Sequence, residues 1–161
     1  MKYRVGIGYD VHALKEGESL ILGGIPVEHY KGTVAHSDGD VIIHAIIDAL
    51  LGATNQRDIG FHFSDLDPEF KNIDSKVLLA RTLKLVQQKG YTIGNVDVVI
   101  CLQKPKLKDS IPNMMQCIAR ILELDIDDVS IKATTTEKLG FVGQEQGVSC
   151  YSVAMVCKND R

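Results

Sequence analysis

Asp10-Val11-His12 closes an apolar run that begins at Tyr3, and its two polar side chains stand two residues apart. On a β-strand that spacing sends both to one face. A carboxylate and an imidazole projecting together can ligate a divalent metal. His44, within His36-Ser37-Asp38-Gly39-Asp40-Val41-Ile42-Ile43-His44, is the candidate third ligand. Supplied from a following helix, it leaves a fourth tetrahedral position open, which is the arrangement of a catalytic zinc. Taken alone, His44 reads as a hydrogen-bonded residue at the edge of a core. The Asp-x-His strand end is what turns the reading toward metal. His44 lies four residues after Asp40 and four before Asp48, so the three share a helix stripe. Either Asp can then hold the second ring nitrogen of a ligating His, and Asp40 equally suits a helix N-cap. His29 and His62 lack such a setting and read as surface residues.

Three other segments carry chemistry-bearing side chains. Lys132-Ala133-Thr134-Thr135-Thr136-Glu137-Lys138 ends a strand and opens a turn or short helix. Thr134 and Glu137 fit a capping box. The same free N–H groups and hydroxyls can bind phosphate, and Glu137 can hold a hard cation bridging phosphate oxygens. Asp58-Ile59-Gly60-Phe61-His62-Phe63-Ser64-Asp65-Leu66-Asp67 is long for a connector. It reads as a solvated loop or as a polyol-binding loop whose carboxylates accept from vicinal hydroxyls. In Gln103-Lys104-Pro105-Lys106-Leu107-Lys108 the lysines neutralise a phosphate or simply solubilise a loop.

These residues need a scaffold. Tyr3 to Tyr9 reads as a first strand, and Leu20–Leu22 with Ile25–Val27 flank Gly23-Gly24 as a hairpin. His29 to Gly39 reads as a loop. Apolar residues at 42, 43, 46, 47, 50 and 51 give a helix over 40–53. Asn55 to Ile73 reads as loop, and Asp74 caps a second helix through Gln88. Val96 to Gln103 is a nearly continuous apolar strand, as expected when both faces are buried. Ser110 caps a third helix, with Pro112 in its first turn and Leu124 near its end. Val129 to Ala133 and Val148 to Cys157 are the last strands. In the last, Tyr151 and Met155 share one face, and Cys150, Ser152, Ala154 and Val156 the other. The order gives an α+β fold, a mixed sheet with helices on one face, most simply a ferredoxin-like layer sandwich. The sheet's other face needs a cover, and a symmetric oligomer is a plausible one for so short a chain.

The 161 residues fit one domain, 1–161, with a single core. The net charge of −3 gives no electrostatic case for binding nucleic acid or an anionic membrane. No apolar run spans a bilayer, and the N-terminus has no secretory or transit pattern. The expectation is a cytoplasmic protein. Cys101, Cys117, Cys150 and Cys157 form no CxxC pair and read as buried free thiols.

Taken in order, Gly8-Tyr9-Asp10-Val11-His12, Ala35-His36-Ser37-Asp38-Gly39-Asp40 with His44, Asp48-Ala49-Leu50-Leu51-Gly52-Ala53, Asp58-Ile59-Gly60, Gly94-Asn95-Val96-Asp97-Val98 and the stretch from Lys132 to Phe141 resemble the 2-C-methyl-D-erythritol 2,4-cyclodiphosphate synthases of the non-mevalonate isoprenoid pathway. The resemblance runs nearly end to end. It implies a lyase that cyclises 4-diphosphocytidyl-2-C-methyl-D-erythritol 2-phosphate and expels CMP. It implies zinc on Asp10, His12 and His44, and a second divalent ion, magnesium or manganese, on Glu137. His36 and Thr135 match the residues that stabilise the transition state, and His36 with Ser37 a loop that closes over the substrate. Asp58, Ile59 and Gly60, with Phe63, Ser64, Asp65, Leu66 and Asp67, match the methylerythritol loops. Leu102, Gln103, Lys104, Pro105, Lys106, Leu107 and Lys108 match the cytosine pocket. Thr134, Thr136, Phe141 and Gln144 complete the expected substrate-binding set. The resemblance also implies a homotrimer with sites between subunits. Two residues depart from the family pattern. Ser64 stands where proline is common, with little effect expected. Gln144 stands where many members carry an arginine associated with an anion site in the trimer's central channel, so weak or no binding of isoprenoid diphosphates is expected there. The rival readings are a zinc-dependent phosphohydrolase and a non-catalytic trimer that binds metal or metabolites.

Overall fold

The computed structural model describes residues 2–159. In chain order the elements are β1 (Tyr3–Glu16), β2 (Ile21–Leu22), β3 (Ile25–Pro26), β4 (Lys31–Val34), α1 (Val41–Ala53), α2 (Ile59–His62), α3 (Ser75–Gln88), β5 (Tyr91–Cys101), α4 (Ile111–Leu122), β6 (Val129–Thr134), α5 (Gly140–Gly143) and β7 (Gly147–Lys158). Five strands form a mixed sheet in the order β4-β1-β7-β5-β6, and β2 pairs with β3 in a separate two-stranded ribbon. Within this sheet β5 and β6 run parallel and the other described pairs antiparallel. The architecture is the expected α+β one, with helices packed on the sheet.

The alternation along β1 decides which face is packed. Gly6 and Gly8 lie under α1, and Tyr3, Val5, Ile7, Tyr9 and Val11 point the other way. A Cβ on Gly8 would sit 1.8 Å from the Ala45 carbonyl oxygen, and one on Gly6 2.0 Å from that of Ala49. The two glycines therefore let α1 rest directly on the strand backbone. Opposite them on β7, Ser152 and Ala154 pair with Gly8 and Gly6 and are buried. Ile42, Ile43, Ile46, Ile47, Leu50 and Leu51 of α1 are fully buried, so this helix is the centre of the core.

Asp40 starts α1. Its carboxylate accepts from the Ile43 amide as an N-cap and also from the Gly23 and Gly24 amides at 2.9 and 2.6 Å. The turn between β2 and β3, where both glycines have positive φ, is thereby fastened to the helix start. Burial pushes the Asp40 carboxyl up to about 6, against three amide donors that act to lower it.

Several boundaries differ from the sequence reading, for non-local reasons. β1 runs on to Glu16 because Ala13 to Glu16 pair with β4, itself inside a segment that reads as loop. β5 begins at Tyr91 and ends at Cys101, and only Val96, Val98 and Ile100 of its second half are buried. Within this chain one face of that strand is packed, not both. The 55–73 connector contains α2 and a 3₁₀ turn over Pro68–Phe70. Ser110 precedes α4 without a side-chain cap, and the helix ends at Leu122, where Glu123 turns left-handed. All four cysteines are free, but only Cys150 is fully buried, which pushes its thiol well up. No helix is long and apolar enough to cross a membrane among the described residues.

Candidate active site

Asp10 and His12 leave β1 on the face that α1 covers, and His44 of α1 meets them there. Asp10 Oδ2 lies 2.8 Å from His12 Nε2 and 3.1 Å from His44 Nδ1, and the two nitrogens are 3.3 Å apart. Donor atoms around a tetrahedral zinc at ordinary bond lengths stand about 3.4 Å from one another. The triad matches that spacing, two nitrogens and one carboxylate oxygen facing a common point. The residues therefore fit zinc. Among the described residues they are also the one such cluster of His, Cys, Asp and Glu donors. Burial opposes ionisation of Asp10, but hydrogen bonds from His12 and His44 outweigh it and hold the carboxyl down at about 2. Burial likewise acts to lower His44, and Asp10 overcomes it and raises the imidazole.

The expected partners of His44 on its own helix are elsewhere. Asp40 is committed to the cap and hairpin, and Asp48 accepts from the Ile59 amide at 2.7 Å. A buried residue that sequence reasoning missed, Ser75 at the start of α3, holds the second nitrogen. Its Oγ is 2.8 Å from His44 Nε2, with Ser37 Oγ farther away at 3.3 Å. Nothing in the sequence pattern links positions 44 and 75, which meet only because α1 and α3 pack together.

A cavity of about 130 Å³ opens beside the triad. His36, Ser37, Ile59, Gly60, Phe63 and Asp65 line it with the triad, so the strand end at Asp10–His12, the His36–His44 segment and the Asp58–Asp67 segment converge on it. The buried Nε2 of His36 has no hydrogen-bond partner. Asp58 and Asp67 do not line this cavity. They cap α2 and the following 3₁₀ turn through the Phe61 and Glu69 amides, and Ser64 Oγ accepts from the exposed Leu66. His62 is half-buried and bonded to the Gln56 carbonyl, and half-buried His29 keeps an unpartnered Nε2, so neither is the plain surface residue the sequence suggests.

A second, larger cavity of about 530 Å³ lies across the sheet, at the ends of β5 and β6. Leu102, Gln103, Pro105, Lys106, Leu107 and Lys108 line it with Thr134 and Thr135. Ile111, Pro112 and Ala133 also line it, which the sequence did not single out. Lys104 lies outside the lining. The capping box expected of Thr134 and Glu137 does not form. Glu137 and Lys138 both have left-handed backbone (φ 53° and 63°), which a helix start cannot accommodate. Thr135 Oγ1 instead accepts from the Glu137 amide at 3.3 Å, and Thr136 Oγ1 donates to the Leu139 carbonyl. Gln144 donates to the Lys138 carbonyl, and Phe141 packs over Gly147.

Known proteins resemble this chain in sequence and in fold. The model of the YgbB family matches residues 3–157. A Bacteroides fragilis protein named 2-C-methyl-D-erythritol 2,4-cyclodiphosphate synthase is 58% identical over 97% of this chain and 98% of its own length. Among solved structures, the bifunctional IspDF from Campylobacter jejuni superposes with a TM-score of 0.95 at 40% identity, covering 99% of this chain, which spans 43% of that one. IspF of Plasmodium falciparum, solved as a CDP complex, matches with a TM-score of 0.86 at 34% identity over 98% of this chain and 97% of that one. On that sequence match and that shared fold, the chain belongs to the YgbB family.

Proposed function

We propose that this protein cyclises 4-diphosphocytidyl-2-C-methyl-D-erythritol 2-phosphate to 2-C-methyl-D-erythritol 2,4-cyclodiphosphate in isoprenoid precursor synthesis. An oxygen of the 2-phosphate attacks the β-phosphorus. The new P–O bond closes the ring as the bond from the β-phosphorus to the bridging oxygen breaks, and CMP leaves with that oxygen. No water and no protein nucleophile enter the balance. The observation that carries the reading is the convergence of Asp10, His12 and His44 on a cavity walled by His36, Ser37, Ile59, Gly60 and Asp65.

Asp10, His12 and His44 would hold zinc, and Glu137 a magnesium or manganese ion. Zinc bound there supplies Lewis-acid polarisation of a phosphoryl group. The chain's own residues do the positioning that dominates phosphoryl transfer. His36 Nε2, buried and unpartnered, offers a hydrogen bond to phosphate oxygen. Ser37, Asp65 and the backbone around Gly60 present polar groups to a polyol. In the larger cavity, apolar Leu102, Leu107, Ile111 and Pro112 suit a flat base, with Lys106 and Lys108 at hand for its phosphate.

The strand of the triad and the two strands at the larger cavity stand two and three positions apart in the order β1-β7-β5-β6, on the order of 9–14 Å at ordinary strand spacing. A substrate that joins base and polyol through one diphosphate is better served by the triad of one copy facing the larger cavity of another. The exposed apolar face of β1 and β7 is the surface to bring copies together, and we assign the assembly as a trimer.

The test is incubation of zinc-loaded protein and magnesium with the substrate, followed by phosphorus NMR. CMP in equal amount with a cyclic diphosphate is expected, and neither from His44→Ala. CMP with an open-chain product would make the protein a hydrolase. No turnover from folded, metal-loaded protein would leave a binding protein.

A further inference from the structure

The hydrogens around Ser75 can be placed from the donors and acceptors that meet there. The Ser75 amide donates to Asp38 Oδ2 at 2.8 Å, and its hydroxyl donates to Asp38 Oδ1. Asp38 Oδ1 also accepts from the Asp40 amide at 3.1 Å. A carboxylate that accepts from three donors has no hydrogen to return. The single hydroxyl hydrogen of Ser75 is thus committed, and only lone pairs remain toward His44 Nε2, 2.8 Å away. Two lone pairs at that distance repel, so the imidazole must carry a hydrogen on Nε2. Ser37 Oγ, which accepts from the Gly39 amide and keeps its own hydrogen, stands farther from Nε2 at 3.3 Å, so the closer Ser75 contact at 2.8 Å sets the assignment. With Nε2 carrying a hydrogen toward Ser75, the nitrogen left to take an ion is Nδ1. Its own hydrogen, donated to Asp10 in the absence of metal, is the one that an ion at the point shared with Asp10 Oδ2 and His12 Nε2 would replace.

We propose that Ser75, backed by Asp38, is a positioning residue that fixes the tautomer and ring orientation of His44 for metal binding, an inference that rests on the metal reading above. Outer partners of this kind orient a ligating imidazole and strengthen its hold on the ion. Asp38 has a second effect. It stands between Ser37 and Gly39, so the same carboxylate ties the loop carrying His36 and Ser37 to the first residue of α3.

The test uses full-length protein with ¹⁵N-labelled histidine, read by long-range proton–nitrogen correlation with and without zinc, beside zinc affinity from competition with a chromogenic chelator. His44 of the wild type is expected to carry hydrogen on Nε2 in the zinc-loaded protein. Ser75→Ala is expected to weaken zinc binding about 10–100-fold, and Ser75→Thr, which keeps the hydroxyl, to restore most of the loss. A wild-type His44 with hydrogen on Nδ1 and none on Nε2 overturns the proposal, as does unchanged zinc affinity in folded Ser75→Ala. Should that variant fail to fold, the wild-type spectrum decides alone. Absence of zinc binding by the wild type would overturn the metal reading and the proposal with it.

Discussion

Asp10 brings the negative charge to its triad, and the two imidazoles keep it ionised against burial. Asp10→Asn retains the shape and removes the charge. It is expected to weaken zinc binding at least about 100-fold, more than loss of an outer partner costs, as measured by chelator competition. His36 and Thr135 are proposed to act on the substrate instead. For His36→Ala and Thr135→Ala a loss of turnover of about 10²–10³ is expected, with zinc content unchanged by elemental analysis. A parallel loss of zinc would show that they build the centre instead. Asp10 and His12 were legible from sequence because a two-residue spacing on a strand has one geometric meaning. His44 needed a helix assignment as well. Ser75 was not legible, because no local period relates it to position 44 and its role exists only once α1 and α3 pack.

Gly6 and Gly8 set the distance between α1 and β1, and with it the distance from His44 to the strand ligands. Gly8→Ala would place a methyl against the Ala45 carbonyl. A loss of about 1–3 kcal/mol in urea unfolding is expected, together with weaker zinc binding, although no ligand is touched. Asp40 makes the complementary point at the helix start. Asp40→Ala strands three amides and is expected to cost about 2–3 kcal/mol. Its pH dependence has a definite sign. With the folded carboxyl raised to about 6 from 3.8, the unfolded chain releases this proton first. Between pH 4 and pH 6 the unfolded state therefore binds fewer protons, and this group's contribution to stability falls as pH rises. Unfolding free energies of wild type and Asp40→Asn across that window should differ in slope, the wild type declining more. Equal slopes would show that the amide donors keep Asp40 at an ordinary carboxyl value. The cap on α1 could be read from sequence. That the same carboxylate grips the Gly23-Gly24 turn could not, since a cap and a long-range anchor present the same residue type. The failed capping box at Thr134 is the converse, a local pattern overridden by left-handed backbone at Glu137.

Tyr3, Val5, Ile7, Tyr9 and Val11 with Tyr151 and Val153 form an apolar sheet face on which Ile7 is 71% exposed. Tyr9 and Tyr151 meet on it with their rings tilted at 46°, centroids 4.9 Å apart. Large apolar surfaces of this kind mark interfaces. Ile7→Lys is expected to give a monomer in analytical ultracentrifugation that still binds zinc but has lost turnover. A fully active monomer would exclude a site shared between copies. The alternation in β7 made this face legible, while the trimer came only from the family resemblance. The strand order carries one more consequence. β1 lies between β4 and β7, so the first long strand of the chain is flanked along most of its length by the last. All three triad residues are made within the first 44 positions, yet the floor on which α1 sits includes β7. During synthesis a nascent chain ending at Gln146 would already contain the whole triad without the strand that flanks β1 and completes the floor beneath α1, so metal uptake should wait until β7 has been made and has joined the sheet.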